Sequence, residues 1–210
     1  MPAFWRWDCL GSRRRRRFRM ACCYRRWRCC PSFWGVWYPC GVYAGVNPRK
    51  ECDMPSVLFV CTANQIRSPF AAALLRDKLA QRGVNLSDWR IESAGTWTEP
   101  GFPAMPAAVD MAQRWGLDLG QHRSRMVSWG LLRRFALVLV MEQGQKEALQ
   151  VEFPQIAGRV ALLSEMCGPP FDVSDPIGRS RRTLEDTYTL IDDLLTRGLD
   201  EIIRRASANS

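Results

Sequence analysis

Cys61 is followed after five residues by Arg67 and then directly by Ser68 and Pro69. A thiolate, a guanidinium and a hydroxyl at that spacing can attack, hold and release a phosphoryl group. The intervening Thr62, Ala63, Asn64, Gln65 and Ile66 would wrap as a loop whose N–H groups, together with the start of a helix, form a cradle for a phosphate dianion. The same field favours thiolate over thiol, the form in which a cysteine acts as a nucleophile. The planar fork of Arg67 matches two phosphoryl oxygens, which an ammonium group does not. Ser68 is placed to donate a hydrogen bond to the sulfur and make it a better leaving group. Spacing alone is weak evidence, because Cys9 and Arg15, and Cys22 and Arg28, stand at the same separation. A cysteine at a strand end is more often a small buried hydrophobe. What distinguishes Cys61 is the pattern on either side of it.

Residues 56–61, SVLFVC, form a continuous apolar, β-branched-rich run, as expected of a strand buried on both faces. Ser68 reads as a helix N-cap and Pro69 suits a first turn. Phe70, Leu74, Leu75 and Leu79 make an apolar stripe that ends at Gly83. Further strands are expected at 89–93, 136–141 and 159–163, with helices at 106–115, 143–151 and 183–195. A Gly, Pro and Asp-rich loop covers 167–178. This alternation predicts an α/β fold, a doubly wound, flavodoxin-like four-stranded parallel sheet with helices on both faces. Ligands of such sheets bind beyond the carboxyl ends of the strands, where residues 61–68 lie.

Expelling an alkoxide or phenoxide also requires an acid. Asp175 leads, since Pro176 biases it toward an extended conformation and stiffens its loop. Asp172 competes, and ordinary turn chemistry accounts for either residue equally well.

Composition divides the chain near residue 53. Residues 1–53 hold seven of the nine cysteines, five of the nine tryptophans, twelve of the thirty basic side chains and three of the twenty-one acidic ones, so the whole net charge of +9 resides there. The remainder is neutral, which argues against a nucleic-acid partner for it. The segment shows no helical or strand period. It reads as an extension outside the functional protein, a basic arm, or a folded module; its paired cysteines lack zinc-site spacing. Its apolar stretch at 31–46 is interrupted by prolines and too short to span a membrane. The expected functional unit is 54–205. That unit keeps only Cys61 and Cys167, which favours a reducing compartment, the cytoplasm.

The stretch at 57–73, VLFVCTANQIRSPFAAA, with SAGT at 93–96, HRSR at 122–125 and Asp175-Pro176, closely resembles the low-molecular-weight protein tyrosine phosphatases, in the family's order over nearly all of 54–200. The resemblance implies Cys61 as nucleophile, Arg67 as phosphate clamp, and Asp175 as acid and then base for hydrolysis of a phosphocysteine. Residues 62–68 would bind phosphate, and Asn64, Ser93 and His122 would hold the loop in shape. It implies no metal and no cofactor, and a phosphorylated protein as substrate, phosphotyrosine first, with a tyrosine kinase as candidate partner. It leaves the oligomeric state open.

Four departures bear on specificity and redox behaviour. Ala63 stands where the family often has Gly. Gln65 replaces an apolar residue of tyrosine-specific members, or the Thr of an arginine-phosphate-specific relative. Ile177 and Gly178 replace aromatic residues that flank the substrate ring, so Trp97 and Ile177 are candidate walls. Ile66 replaces a cysteine that traps the oxidised nucleophile as a disulfide in many relatives, leaving only Cys167. Protein arginine phosphatase is the alternative. Arsenate reductase would need a longer relay of cysteines, and a phosphate-binding module without turnover would not need the three catalytic groups together.

Overall fold

The structure is a computed structural model and describes residues 54–208; the expectations for residues 1–53 lie outside the described residues. The elements run β1 (Ser56–Cys61), α1 (Arg67–Gln81), a 3₁₀ turn (Leu86–Asp88), β2 (Arg90–Gly95), α2 (Pro106–Arg114), α3 (Trp129–Leu132), β3 (Leu137–Val140), α4 (Gln143–Glu152), a 3₁₀ turn (Pro154–Arg159), β4 (Val160–Leu162), a 3₁₀ turn (Ser164–Met166) and α5 (Arg181–Ala208). The strands pair in parallel in the order β2-β1-β3-β4, the expected doubly wound sheet.

Period-two alternation along β1 feeds two separate cores. Val57, Phe59 and Cys61 face one side and pack with Phe70, Leu74 and Leu75 of α1, Ala108 and Met111 of α2, and Tyr188, Ile191 and Leu195 of α5. Leu58 and Val60 face the other side with Leu132, Phe135, Leu149 and Ile156. Every residue of β1 is buried, because β1 is both central and covered on each face. Since β2 and β3 flank β1 on opposite sides, the strand order reverses at β1. The crevice beyond its carboxyl end is the switch point at which open α/β sheets bind ligands.

Two expectations are corrected. Ser68 is not an N-cap: α1 begins at Arg67, the capping position is Ile66, and no side chain caps it. The Ser68 hydroxyl is used elsewhere, beside Cys61 Sγ and the Asn64 amide. The closing helix runs to Ala208 rather than stopping at 195, because its buried stripe continues through Leu199, Ile202 and Ala206. Gly198 lies inside that helix for a packing reason. A Cβ there would come within 2.6 Å of the Met166 side chain, so the helix and the turn after β4 can approach only over a hydrogen. Among the described residues no helix is long and apolar enough to cross a membrane.

Candidate active site

The loop between β1 and α1 is held from outside by its carbonyls. Those of Cys61 and Thr62 accept from the amides of Thr96 (2.9 Å) and Trp97 (3.0 Å), that of Gln65 from Met105 N (3.1 Å), that of Asn64 from His122 Nε2 (2.6 Å) and that of Ile66 from the Tyr188 hydroxyl (3.3 Å). A loop whose carbonyls are tied outward turns its N–H groups toward its own centre, which is the construction of an anion cradle. Gly95 allows the segment after β2 to lie against this loop, since a Cβ on it would stand 2.5 Å from the Thr62 carbonyl oxygen. The glycine of the SAGT stretch is thus required by backbone-to-backbone approach.

Inside the loop a hydrogen-bond network fixes the sulfur. Asn64 is fully buried at φ 55°, a left-handed conformation that Asn tolerates better than most residues. Its amide nitrogen donates to both Ser68 Oγ and Ser93 Oγ at 2.9 Å, and its Oδ1 accepts from Arg125 N at 3.1 Å. Because Ser68 Oγ accepts from Asn64, its single proton is free to point at Cys61 Sγ, 3.0 Å away, in preference to the Ala94 carbonyl at 3.3 Å. The Asn64 carbonyl can only accept, so His122 carries its proton on Nε2. Burial holds His122 below its ordinary pKa, against the raising effect of that hydrogen bond and with Arg125 and Arg123 acting further downward. Burial, reinforced by the nearby Cys61 charge, pushes the Tyr188 phenol up, so it remains a hydrogen-bond donor.

Arg67 is 1% exposed, and a buried guanidinium requires partners on all sides. Nη1 donates to Glu142 Oε1 and, at 2.8 Å, to the Val173 carbonyl, while Nη2 donates to Asp175 Oδ2 at 2.5 Å. Glu142 sits at the carboxyl end of β3, and Gln145 one helical turn later braces it. Gln145 Oε1 accepts from the amides of Met141 and Glu142, and its Nε2 donates to Thr62 Oγ1 (3.2 Å) and Glu142 Oε2 (3.3 Å). Asp175 lines the same small cup as Cys61, Ala63, Gln65, Ile66 and Arg67. Asp172 turns away, and its Oδ1 accepts from Gln143 N at the start of α4 (2.8 Å).

Residues 56–208 match the family described as low molecular weight phosphotyrosine protein phosphatase. The chain belongs to that family. It is similar to a probable low molecular weight protein-tyrosine-phosphatase, EpsP, of Ralstonia solanacearum, 36% identical over 153 residues, which cover 73% of this chain and 97% of the relative. It resembles a solved structure of the YwlE arginine phosphatase, a mutant with a phosphorylated active-site serine (TM-score 0.67, 29% identity, 74% of this chain and 99% of that one). It also resembles the tyrosine phosphatase Wzb of Escherichia coli K30 in complex with sulphate (TM-score 0.63, 28% identity, 71% and 99%). The chain is accordingly a cysteine-dependent protein phosphatase, and its substrates are phosphorylated proteins.

Within this phosphatase fold, Cys61, Arg67, Asp175 and the loop from Thr62 to Ser68 come together, as do Asn64, Ser93 and His122. Ala63 fits without left-handed backbone, since Asn64 is the non-glycine residue with positive φ among those described. Of the two candidate walls, Ile177 lines the cup and Trp97 does not; Trp97 is 82% exposed beside it, and Met105 takes part in the lining. Glu142, Gln145, Met105, Arg125 and Tyr188 were missed from the sequence. Glu142 carried a readable signal, a carboxylate directly after a buried strand with Gln three residues on. Arg125 stood in the HRSR stretch; its amide donates to Asn64 Oδ1 and its Nε to the Ser93 carbonyl at 2.8 Å, contacts that no local pattern reveals. Cys167 is a free thiol donating to the Ser164 carbonyl. Its neighbour Met166 packs on Gly198, ten residues along α5 from Tyr188, which reaches Ile66.

Proposed function

We propose that the phosphatase hydrolyses phosphotyrosine in proteins, with Cys61 as nucleophile, Arg67 as phosphate clamp and Asp175 as general acid and then general base. The observation that carries the reading is the loop of residues 61–67, tied outward at five carbonyls, with the Ser68 hydroxyl on Cys61 Sγ and Asp175 across the cup. The thiolate attacks phosphorus in line with the departing oxygen. The P–S bond forms as the P–O bond breaks, and protonated Asp175 delivers its proton to the leaving phenoxide. Arg67 and the loop amides hold the three equatorial oxygens through the transition state. A phosphoryl group in the cup competes with Asp175 for Nη2 of Arg67, which turns the carboxyl toward the leaving oxygen. In the second step the Asp175 carboxylate takes a proton from water as that water attacks phosphocysteine, and Ser68 stabilises the departing thiolate. Ser93 and His122 are positioning residues, acting through Asn64, and Glu142 positions Arg67.

A protein-arginine reading is favoured by one feature, the polar Gln65 in the cup lining, and by the resemblance to an arginine phosphatase. Residues 54–205 are proposed to suffice for activity, in the cytoplasm, where both described cysteines are free thiols and a tyrosine kinase supplies substrate. The test is hydrolysis of phosphotyrosine and phosphoarginine peptides by purified protein, whole and beginning at Met54. A higher kcat/KM on phosphotyrosine supports the first reading, and the reverse replaces it with the second. Failure on both rejects the assignment.

A further inference from the structure

A groove of about 250 Å³ opens directly from the cup. Ile66, Met105 and Ile177 line both, so the two are one continuous surface. The groove runs between α2 and the start of α5. Its floor is apolar and low, made by Ala107, Ala108 and Leu184, and its rim carries Arg179 and Arg181 against a single Asp110. Its volume lies somewhat below the ~300–1,000 Å³ typical of small-molecule sites, which suits one or two side chains of a peptide rather than a cofactor.

Charge decides what those side chains are. The arginines elsewhere around the active site are engaged: Arg67 with Glu142 and Asp175, Arg125 with Glu92. The side chains of Arg179 and Arg181, both exposed, have no hydrogen-bond or ion-pair partner among the described residues. Two free guanidiniums at the mouth of an apolar trough, next to the point where a phosphorylated side chain enters, favour a carboxylate-bearing segment.

We propose that this groove is a substrate subsite that binds the residues flanking the phosphorylated side chain, with an apolar residue on the alanine floor and acidic residues against Arg179 and Arg181. The proposal rests on the phosphatase reading of the cup and names the substrate class, acidic phosphopeptides.

The test compares phosphopeptides that differ only in their flanks, one set apolar and acidic, one neutral and one basic, using whichever phosphorylated residue the protein turns over. A small aryl phosphate, too short to reach the groove, reports on the cup alone. The acidic set should show a kcat/KM about tenfold above the neutral one at low salt, shrinking as ionic strength rises. The double substitution R179S/R181S should abolish that preference. Ala107→Phe, which fills the trough from the exposed face of α2, should lower turnover of all the long peptides while sparing the aryl phosphate. Equal kcat/KM for the three sets, or a preference that survives R179S/R181S, overturns the subsite. Loss of aryl phosphate hydrolysis by wild-type protein would instead reject the phosphatase reading beneath it.

Discussion

The two loops that meet over the cup are built in opposite ways. None of residues 61–68 is exposed, and five carbonyls, Asn64 and Ser68 are all committed to partners. The loop at 167–180 is mostly exposed. It is pinned through Val173, whose amide donates to Met141 O at 2.8 Å and whose carbonyl accepts from Arg67, and through Asp172 on α4. Beyond Asp175 the ties are local, Ile177 N to Asp175 Oδ1 and Arg179 N to Pro176 O. The difference matches the chemistry proposed for the two loops. A nucleophile and its anion cradle lose rate if they move by a fraction of an ångström, whereas an acid that serves a leaving group and then a water must change partners.

The comparison is broken most severely at the sulfur. Cys61→Ser should lower turnover more than about a thousandfold while phosphate binding, measured by calorimetry, persists on the intact loop. Residual activity above that level would remove Cys61 from its role. On the opposite loop, Asp175→Asn should slow poor leaving groups by about 10²–10⁴-fold and activated ones much less. Asp172→Ala should cost only about 1 kcal/mol of stability through the start of α4, with no dependence on leaving group. If the leaving-group dependence follows Asp172 instead, the two aspartates are misassigned.

A third change tests rigidity rather than chemistry. Asn64→Ala removes hydrogen bonds to Ser68, Ser93 and Arg125 and puts a Cβ residue without a polar side chain at positive φ. It should cost about 2–4 kcal/mol in denaturant unfolding and lower kcat more than it raises KM. An unchanged unfolding midpoint would mean that the loop is held by its carbonyls alone.

The smallest effect concerns His122, the chain's single histidine. Its folded pKa lies below the ordinary 6.5, chiefly through burial, so the folded state favours the neutral ring. Its contribution to stability is therefore complete above about pH 6.5 and is lost as pH falls from there toward the folded value. His122→Gln keeps a donor for the Asn64 carbonyl and removes the titration. The difference in unfolding free energy between the two proteins should drift below pH 6.5 and be flat above it. A histidine that titrates at or above 6.5 by NMR would contradict the buried, neutral assignment.

Much of the fold was legible because its signals are local. The buried run of β1, the stripe of α1 and the alternation of strands and helices depend on residues near one another in sequence. The end of α5 was not, because Gly198 looks like a helix breaker until Met166 is seen packed on it. Ser68 shows the same limit. Its type and position suit a helix cap, but a buried sulfur and the Asn64 amide claimed its hydroxyl, and tertiary partners outrank a local preference.

For the site, residue types and spacing determined by themselves that Cys61, Arg67 and Ser68 would lie together, since they occupy one strand-to-helix turn, and put Asp175 ahead of Asp172 as the acid on the strength of the following Pro176. Only the tertiary structure shows what each of the two touches: Asp175 meets Arg67 across more than a hundred residues of chain, whereas Asp172 binds the start of α4. It also decided the partners of the buried guanidinium, Glu142 and the Val173 carbonyl, and the outward ties of the loop. Those are largely backbone groups. Every residue carries them, so no sequence pattern marks which will be used, and only the packing of β2, β3 and α5 around β1 brings them within hydrogen-bonding distance.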